Sequence, residues 1–194
     1  TVYQADAAHM NFGKYTLYSC YGITANCNTF PVAFGIVFGN EDKEGWERFW
    51  LFVKSRHHCL NDPKVTIITD QQKGSINAMQ QVLPNAVNFF CSYHRTKNIR
   101  EQVKGGVGEY SCHWYYNLLL KCGRIETINK HKYDLVTQMD DKALRYIGLV
   151  PDHQQFSAAR IAYGIAHGVD VYKFQRSSSS TAESMNAANK SVCD

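Results

Sequence analysis

Three β-favouring runs fill the first forty residues, and a helical stripe of aromatic side chains follows them. TVYQADA, YTLYSCYGIT and TFPVAFGIVFG are rich in Tyr, Thr, Val, Ile and Phe, and Gly13-Lys14 and Asn26 to Asn28 break them at hairpin-like intervals. This pattern predicts three antiparallel strands. From Asp42 to Cys59, Trp46, Phe49, Trp50 and Val53 recur at steps of three and four residues, the spacing of a helix laid on a sheet. Asn61-Asp62-Pro63 stops it, because proline interrupts helical hydrogen bonding. VTIITD reads as a short apolar strand of the kind covered on both faces. Its exit, Gln71 to Gly74, leads to a helix expected over 75–83 and ended by Pro84-Asn85, and Val87 to Tyr93 reads as a fifth strand.

The order βββαβαβ is that of the ribonuclease H-like fold, an α/β class built on a mixed five-stranded sheet. After His94 the strand-like runs give way to helix-like ones: Tyr110 to Cys122, Ile125 to Met139, Asp141 to Leu149 and His153 to His167. The expected organisation is a first core part over 1–100, a helical insertion over 101–176 and the start of a final core helix over 177–194. At 194 residues the chain is long enough to bury a real core, and no second independent fold is required. It lacks an initiator Met and stops soon after Glu183, as a piece of a longer protein would.

Charge adds a clue through its distribution. The net charge is only +4, but residues 1–94 hold seven basic and seven acidic side chains, so the whole excess lies in the second half. Arg95 to Lys132 carries eight Lys/Arg against three Glu, with His113, Trp114, Tyr115 and Tyr116 among them. Arg95, Lys97, Arg100 and Lys104 are candidate contacts to a DNA backbone. An ordinary solvated helical face explains the same stretch equally well. Seven cysteines form no even framework and read as reduced thiols of an intracellular protein. No signal peptide, lipidation motif or membrane-spanning stretch is present in the sequence, so no membrane partner is expected.

Three acids carry the candidate chemistry: Asp6 after a short extended run, Asp70 at the end of VTIITD, and Glu183 in SSSTAESMNAAN. Singly, each has a bland explanation. The aspartates suit strand-end turns, and Glu183 suits the first turn of a helix capped by the preceding Ser/Thr run. Together on one sheet they would repel one another and need divalent metal between them, the arrangement by which two-metal enzymes activate water and a leaving oxygen. The expected cofactor is Mg²⁺ or Mn²⁺, two ions, because hard carboxylate ligands suit these better than zinc. His9, three residues beyond Asp6, falls on the opposite strand face and is expected to be structural or DNA-contacting.

These residues resemble the transposase domain of Mutator-like elements. The resemblance rests on a first Asp before a His, on TDQQKG, on the C-x-x-H pair Cys91/His94 and on the E-S-x-N of Glu183 to Asn186. It is strong over residues 1–100 and weak across the helical stretch. It implies a ribonuclease H-like fold with a helical insertion before the last acid, and an acidic triad of Asp6, Asp70 and Glu183. The implied activity is cutting double-stranded DNA at element ends and joining those ends to target DNA. A nuclear location follows if the source is eukaryotic, homo-oligomerisation is allowed, and Asn186 is a near-site candidate. Ala7-Ala8 departs mildly from the Thr or Gly often found there in the family. The alternative is a domesticated descendant that keeps the fold as a DNA-binding or dimerising regulator.

Cys91 and His94 admit two roles. They are half of a zinc site, for which Cys112, His113 and Cys122 offer no persuasive second half, or a buried thiol and a hydrogen-bonded His near the end of the fifth strand. Zinc is not expected. Cys-His nucleophilic catalysis explains neither Asp70 nor Glu183.

Overall fold

The computed structural model describes residues 2–11, 13–24, 28–103, 116, 119–120, 124, 126–131 and 141–167. The chain divides into two compact units, Thr1–Cys91 with Gln175–Asp194, and Ser92–Phe174.

In the first unit β1 (Val2–His9), β2 (Tyr15–Ile23) and β3 (Thr29–Phe38) form an antiparallel meander. α1 (Lys43–Arg56) then leads to β4 (Thr66–Thr69), and α2 (Lys73–Val82) to β5 (Val87–Phe90), both strands parallel to β1. The sheet order is β3-β2-β1-β4-β5. This α/β architecture with its five-stranded mixed sheet is compatible with the expected ribonuclease H-like class. All five strands fall where the sequence places them, but β5 ends at Phe90 rather than Tyr93.

α1 starts where Asp42 accepts a hydrogen bond from the Gly45 N–H at 2.8 Å, satisfying one of the helix's orphan donors. Trp46, Phe49, Trp50 and Val53 are its buried stripe. With Met79, Val82 and Leu83 of the α2 segment they cover Tyr3, Ala5, Tyr18, Cys20 and Ile67 of the sheet. Trp46 meets Tyr18 edge-on at 4.9 Å and stacks on Trp50 at 5.9 Å. Gly45 makes this contact possible, since a Cβ there would stand 2.1 Å from the Tyr18 hydroxyl oxygen. The same burial, with Asp42 and Glu41 nearby, pushes the Tyr18 phenol up to about 12.

Side chains alternate across a sheet, so residues flanked by this core emerge on the other face. There Ile68, Phe89 and Cys91 cluster with Val2 and Ile23. At the outer strand the same face carries Phe34, Ile36 and Phe38, all exposed.

The second unit opens with α3 (Ser92–Val103), which occupies Ser92 and Tyr93 and thereby cuts the fifth strand short. α4 (Asp141–Gly148) and α5 (Ser157–Ala166) follow, and residues 126–131 are also helical. Ile99, Tyr116, Leu119, Ile128, Ile147, Phe156 and Ala159 form its core. Arg95 is buried in this unit. Its Nη2 donates to Gln155 Oε1 at 2.7 Å and its Nε to the Tyr116 hydroxyl at 3.3 Å, while the guanidinium lies 4.7 Å from the Tyr146 ring centre. Gln155 spends its amide protons on the Val150 and Ile147 carbonyls. No helix among the described residues is long and apolar enough to cross a membrane.

Candidate functional site

Asp6 lies between Ala5 and Ala7, which face the α1/α2 core, so its carboxylate emerges on the opposite sheet face. It pairs in register with Ser19 of β2, whose hydroxyl donates to the Asp6 carbonyl at 3.2 Å. On the other side of β1 the last paired rung with β4 is Gln4 with Ile68. Two residues beyond this rung stand Asp6, within β1, and Asp70, directly after β4. The Cys91 N–H donates to the Thr69 carbonyl at 2.8 Å and so closes the last β4–β5 rung, Thr69 with Phe90. Ser19 and Asp6, paired on β2 and β1, and Asp70 and Cys91, just beyond the ends of β4 and β5, follow one another along the order of the sheet. Adjacent strands lie about 4.8 Å apart, within reach of a shared cation for neighbouring carboxylates.

Burial is graded among these four residues. Ser19 and Cys91 are fully buried, whereas Asp6 and Asp70 keep part of their surface in solvent. Charged oxygen at the accessible positions and apolar packing beside them fit a hard cation in donor chemistry. Among the described residues no group of three or more His, Cys, Asp or Glu side chains could hold a metal ion. The sheet itself supplies two acids.

The TDQQKG turn fixes the second acid. Asp70 Oδ1 accepts the Gln72 N–H at 3.1 Å, an Asx-type turn that carries the chain from strand to helix. Gln72 then caps α2, its Oε1 accepting the Ser75 N–H at 2.7 Å. The helix starts at Lys73, earlier than the expected 75, because Gln here does the work usually given to Ser, Asp or Asn. Neither Gln72 nor Ser19 was legible as a site residue; the one signal for Gln72 is its place between Asp70 and the helix it caps.

Of the other candidates, Cys91 packs with Ile68 and Phe89, and His94 stands in the first turn of α3 with its ring edge-on to Tyr93 at 5.6 Å. His9 pairs with Thr16, facing away from the two acids, and its Nδ1 lies 3.4 Å from the Thr16 hydroxyl. Lys97 and Arg100 are exposed on α3. Arg95 corrects the expectation of a basic surface beginning there: it is an interior brace held by Gln155 and Tyr116, so it offers nothing to a DNA backbone. Lys104, Glu183, Asn186, Cys112, His113 and Cys122 lie outside the described residues.

Comparison with curated proteins gives no match. Residues 5–98 match the family model of the MULE transposase domain, a stretch that holds both aspartates, the Asp70 turn and the Cys91/His94 pair. The sheet-bearing part of this chain, with Asp6 on β1 and Asp70 directly after β4, matches the MULE transposase domain family over residues 5–98.

Proposed function

We propose that this chain is the catalytic core of a DDE-type DNA transposase, cutting double-stranded DNA at element ends and transferring the strands to target DNA. The observation that supports it most is the match of residues 5–98 to a transposase family, a stretch that carries Asp6 on β1 and Asp70 directly after the parallel β4. Two adjacent carboxylates with solvent access repel each other and are stabilised by a cation between them. Their hard oxygens suit Mg²⁺ or Mn²⁺. Glu183 completes the triad in this reading, on the resemblance of STAESMNA to the family's last acidic segment.

Bound there, such ions supply an activated water or 3′-hydroxyl and stabilise the departing oxygen. The protein's own contribution is placement. β1 and β4 set where the two aspartates stand, and the Gln72 N–H restricts how Asp70 turns, so little ordering is left for the moment of reaction. Lys97, Arg100 and Lys104 are proposed to contact DNA phosphates.

The deciding experiment is cleavage of labelled element-end DNA by the full-length protein in Mg²⁺ or Mn²⁺. Wild type should cut, and Asp6→Asn, Asp70→Asn and Glu183→Gln should each bind DNA and fail to cut. Near wild-type cleavage by any one of them removes that residue from the triad. A wild-type protein that binds the DNA and never cuts it would be the domesticated, regulatory form.

A further inference from the structure

We infer that Gln72 and Glu41 form a positioning brace for Asp70, tying the orientation of that carboxylate to the aromatic core under α1. This rests on the metal-dependent reading of Asp6 and Asp70 above. Gln72 uses three groups at once. Its backbone N–H holds Asp70 Oδ1, its Oε1 caps α2, and its Nε2 donates to the Glu41 carbonyl at 3.1 Å, in the loop that enters α1. Glu41 is anchored in turn, because the Trp46 indole N–H donates to its Oε1 at 2.9 Å. Trp46 is fully buried between Tyr18 and Trp50. A continuous chain of directed contacts therefore runs from a stacked core residue to one oxygen of the candidate metal ligand.

A second observation shows that the two helix starts are built to touch. A Cβ added at Gly74 would lie 2.8 Å from the Lys43 nitrogen and 2.8 Å from Gln72 Oε1, and 3.0 Å from the Asp42 carbonyl carbon. Any larger residue at 74 would push α2 off the start of α1 and stretch the Gln72–Glu41 hydrogen bond. The glycine of TDQQKG is thus part of the brace, holding the two backbones close.

A carboxylate held in this way ligates a cation with less loss of rotational freedom than one that turns freely. Loss of the brace should therefore weaken metal binding while leaving the chemistry at saturating metal nearly unchanged. Gln72→Ser is the clean variant: serine keeps the helix cap and the backbone N–H to Asp70 but cannot reach Glu41.

The test uses the full chain and measures Mn²⁺ binding by electron paramagnetic resonance beside the Mn²⁺ dependence of DNA cleavage. In Gln72→Ser the dissociation constant and the half-saturating Mn²⁺ concentration should both rise by about tenfold, with cleavage recovered at saturating Mn²⁺ and the melting temperature within a few degrees of wild type. Gly74→Ala should move the same quantities in the same direction. Unchanged Mn²⁺ binding in Gln72→Ser, against a wild type that binds and cuts, overturns the brace. A rate loss that saturating Mn²⁺ does not recover overturns it as well. A wild type that binds no Mn²⁺ instead sinks the metal-dependent reading itself, and the two failures are told apart by the wild-type trace alone.

Discussion

Asp6 on β1 and Asp70 just after the parallel β4 each stand two residues beyond the rung that pairs Gln4 with Ile68. Without metal, two carboxylates that approach one another repel and so weaken the structure that holds them. Asp70→Asn removes the charge and keeps an Oδ1 to accept the Gln72 N–H, whereas Asp70→Ala removes both. In chelator, Asp70→Asn should melt at or above the wild-type temperature, and Asp70→Ala should lose about 1 kcal/mol. Equal losses in the two variants would show that charge repulsion has no part in the stability of this site.

Arg95 and its neighbours on α3 should separate by their effects. Arg95→Met removes the buried guanidinium that donates to Gln155 Oε1 and to the Tyr116 hydroxyl, and should cost about 2–3 kcal/mol of unfolding free energy in denaturant titrations. Lys97→Ser and Arg100→Ser, both at exposed positions, should stay within about 0.5 kcal/mol of wild type. If those two contact phosphates, each should also flatten the salt dependence of DNA binding by roughly one unit of slope.

Two glycines present opposite cases. A Cβ at Gly45 would strike the buried Tyr18 hydroxyl, whose ring is fixed between Trp46 and Phe49. A Cβ at Gly22 would strike the tip of Phe30, which is 44% exposed and can swing outward. Gly45→Ala should therefore cost about 1–3 kcal/mol despite its better helix propensity, and Gly22→Ala well under that. Chemical denaturation of the two variants side by side checks the order.

His153 predicts a pH response of the second unit. Its ring stacks on Tyr163 at 4.1 Å, and burial, then the Arg160 guanidinium, lowers its pKa from the ordinary 6.5. Between the lowered value and 6.5 the unfolded chain binds a proton that the folded chain refuses. Stability contributed by the neutral ring is thus present above pH 6.5 and is lost as pH falls through the lowered value. His153→Gln should remove that part of the acid-side slope in melting temperature, and an unchanged slope would place the proton elsewhere.

The strands and α1 were legible because their period and composition agree with their burial: Trp46, Phe49, Trp50 and Val53 read as one stripe and form one. The pair of acids was legible only as a list of residues. Its placement depends on how far β4 slides along β1, and no local pattern encodes that offset between strands some sixty residues apart. Arg95 was misread for a related reason. A cation in a basic, polar stretch suggests solvent, and only Gln155 and Tyr116, distant in sequence, make an interior place for it. The start of α2 was set late because Gln72 is an uncommon cap.

β1 belongs to both halves of the sheet, antiparallel to β2 on one edge and parallel to β4 on the other. During synthesis its first edge can be satisfied almost at once by the adjoining hairpin, while its second stays open until α1 and β4 have been made and the crossover closes. Asp6 is in place early and Asp70 arrives late. The sheet therefore couples the two acids to different ranges of the chain: Asp6 to a hairpin beside it in sequence, and Asp70 to a crossover some sixty residues long.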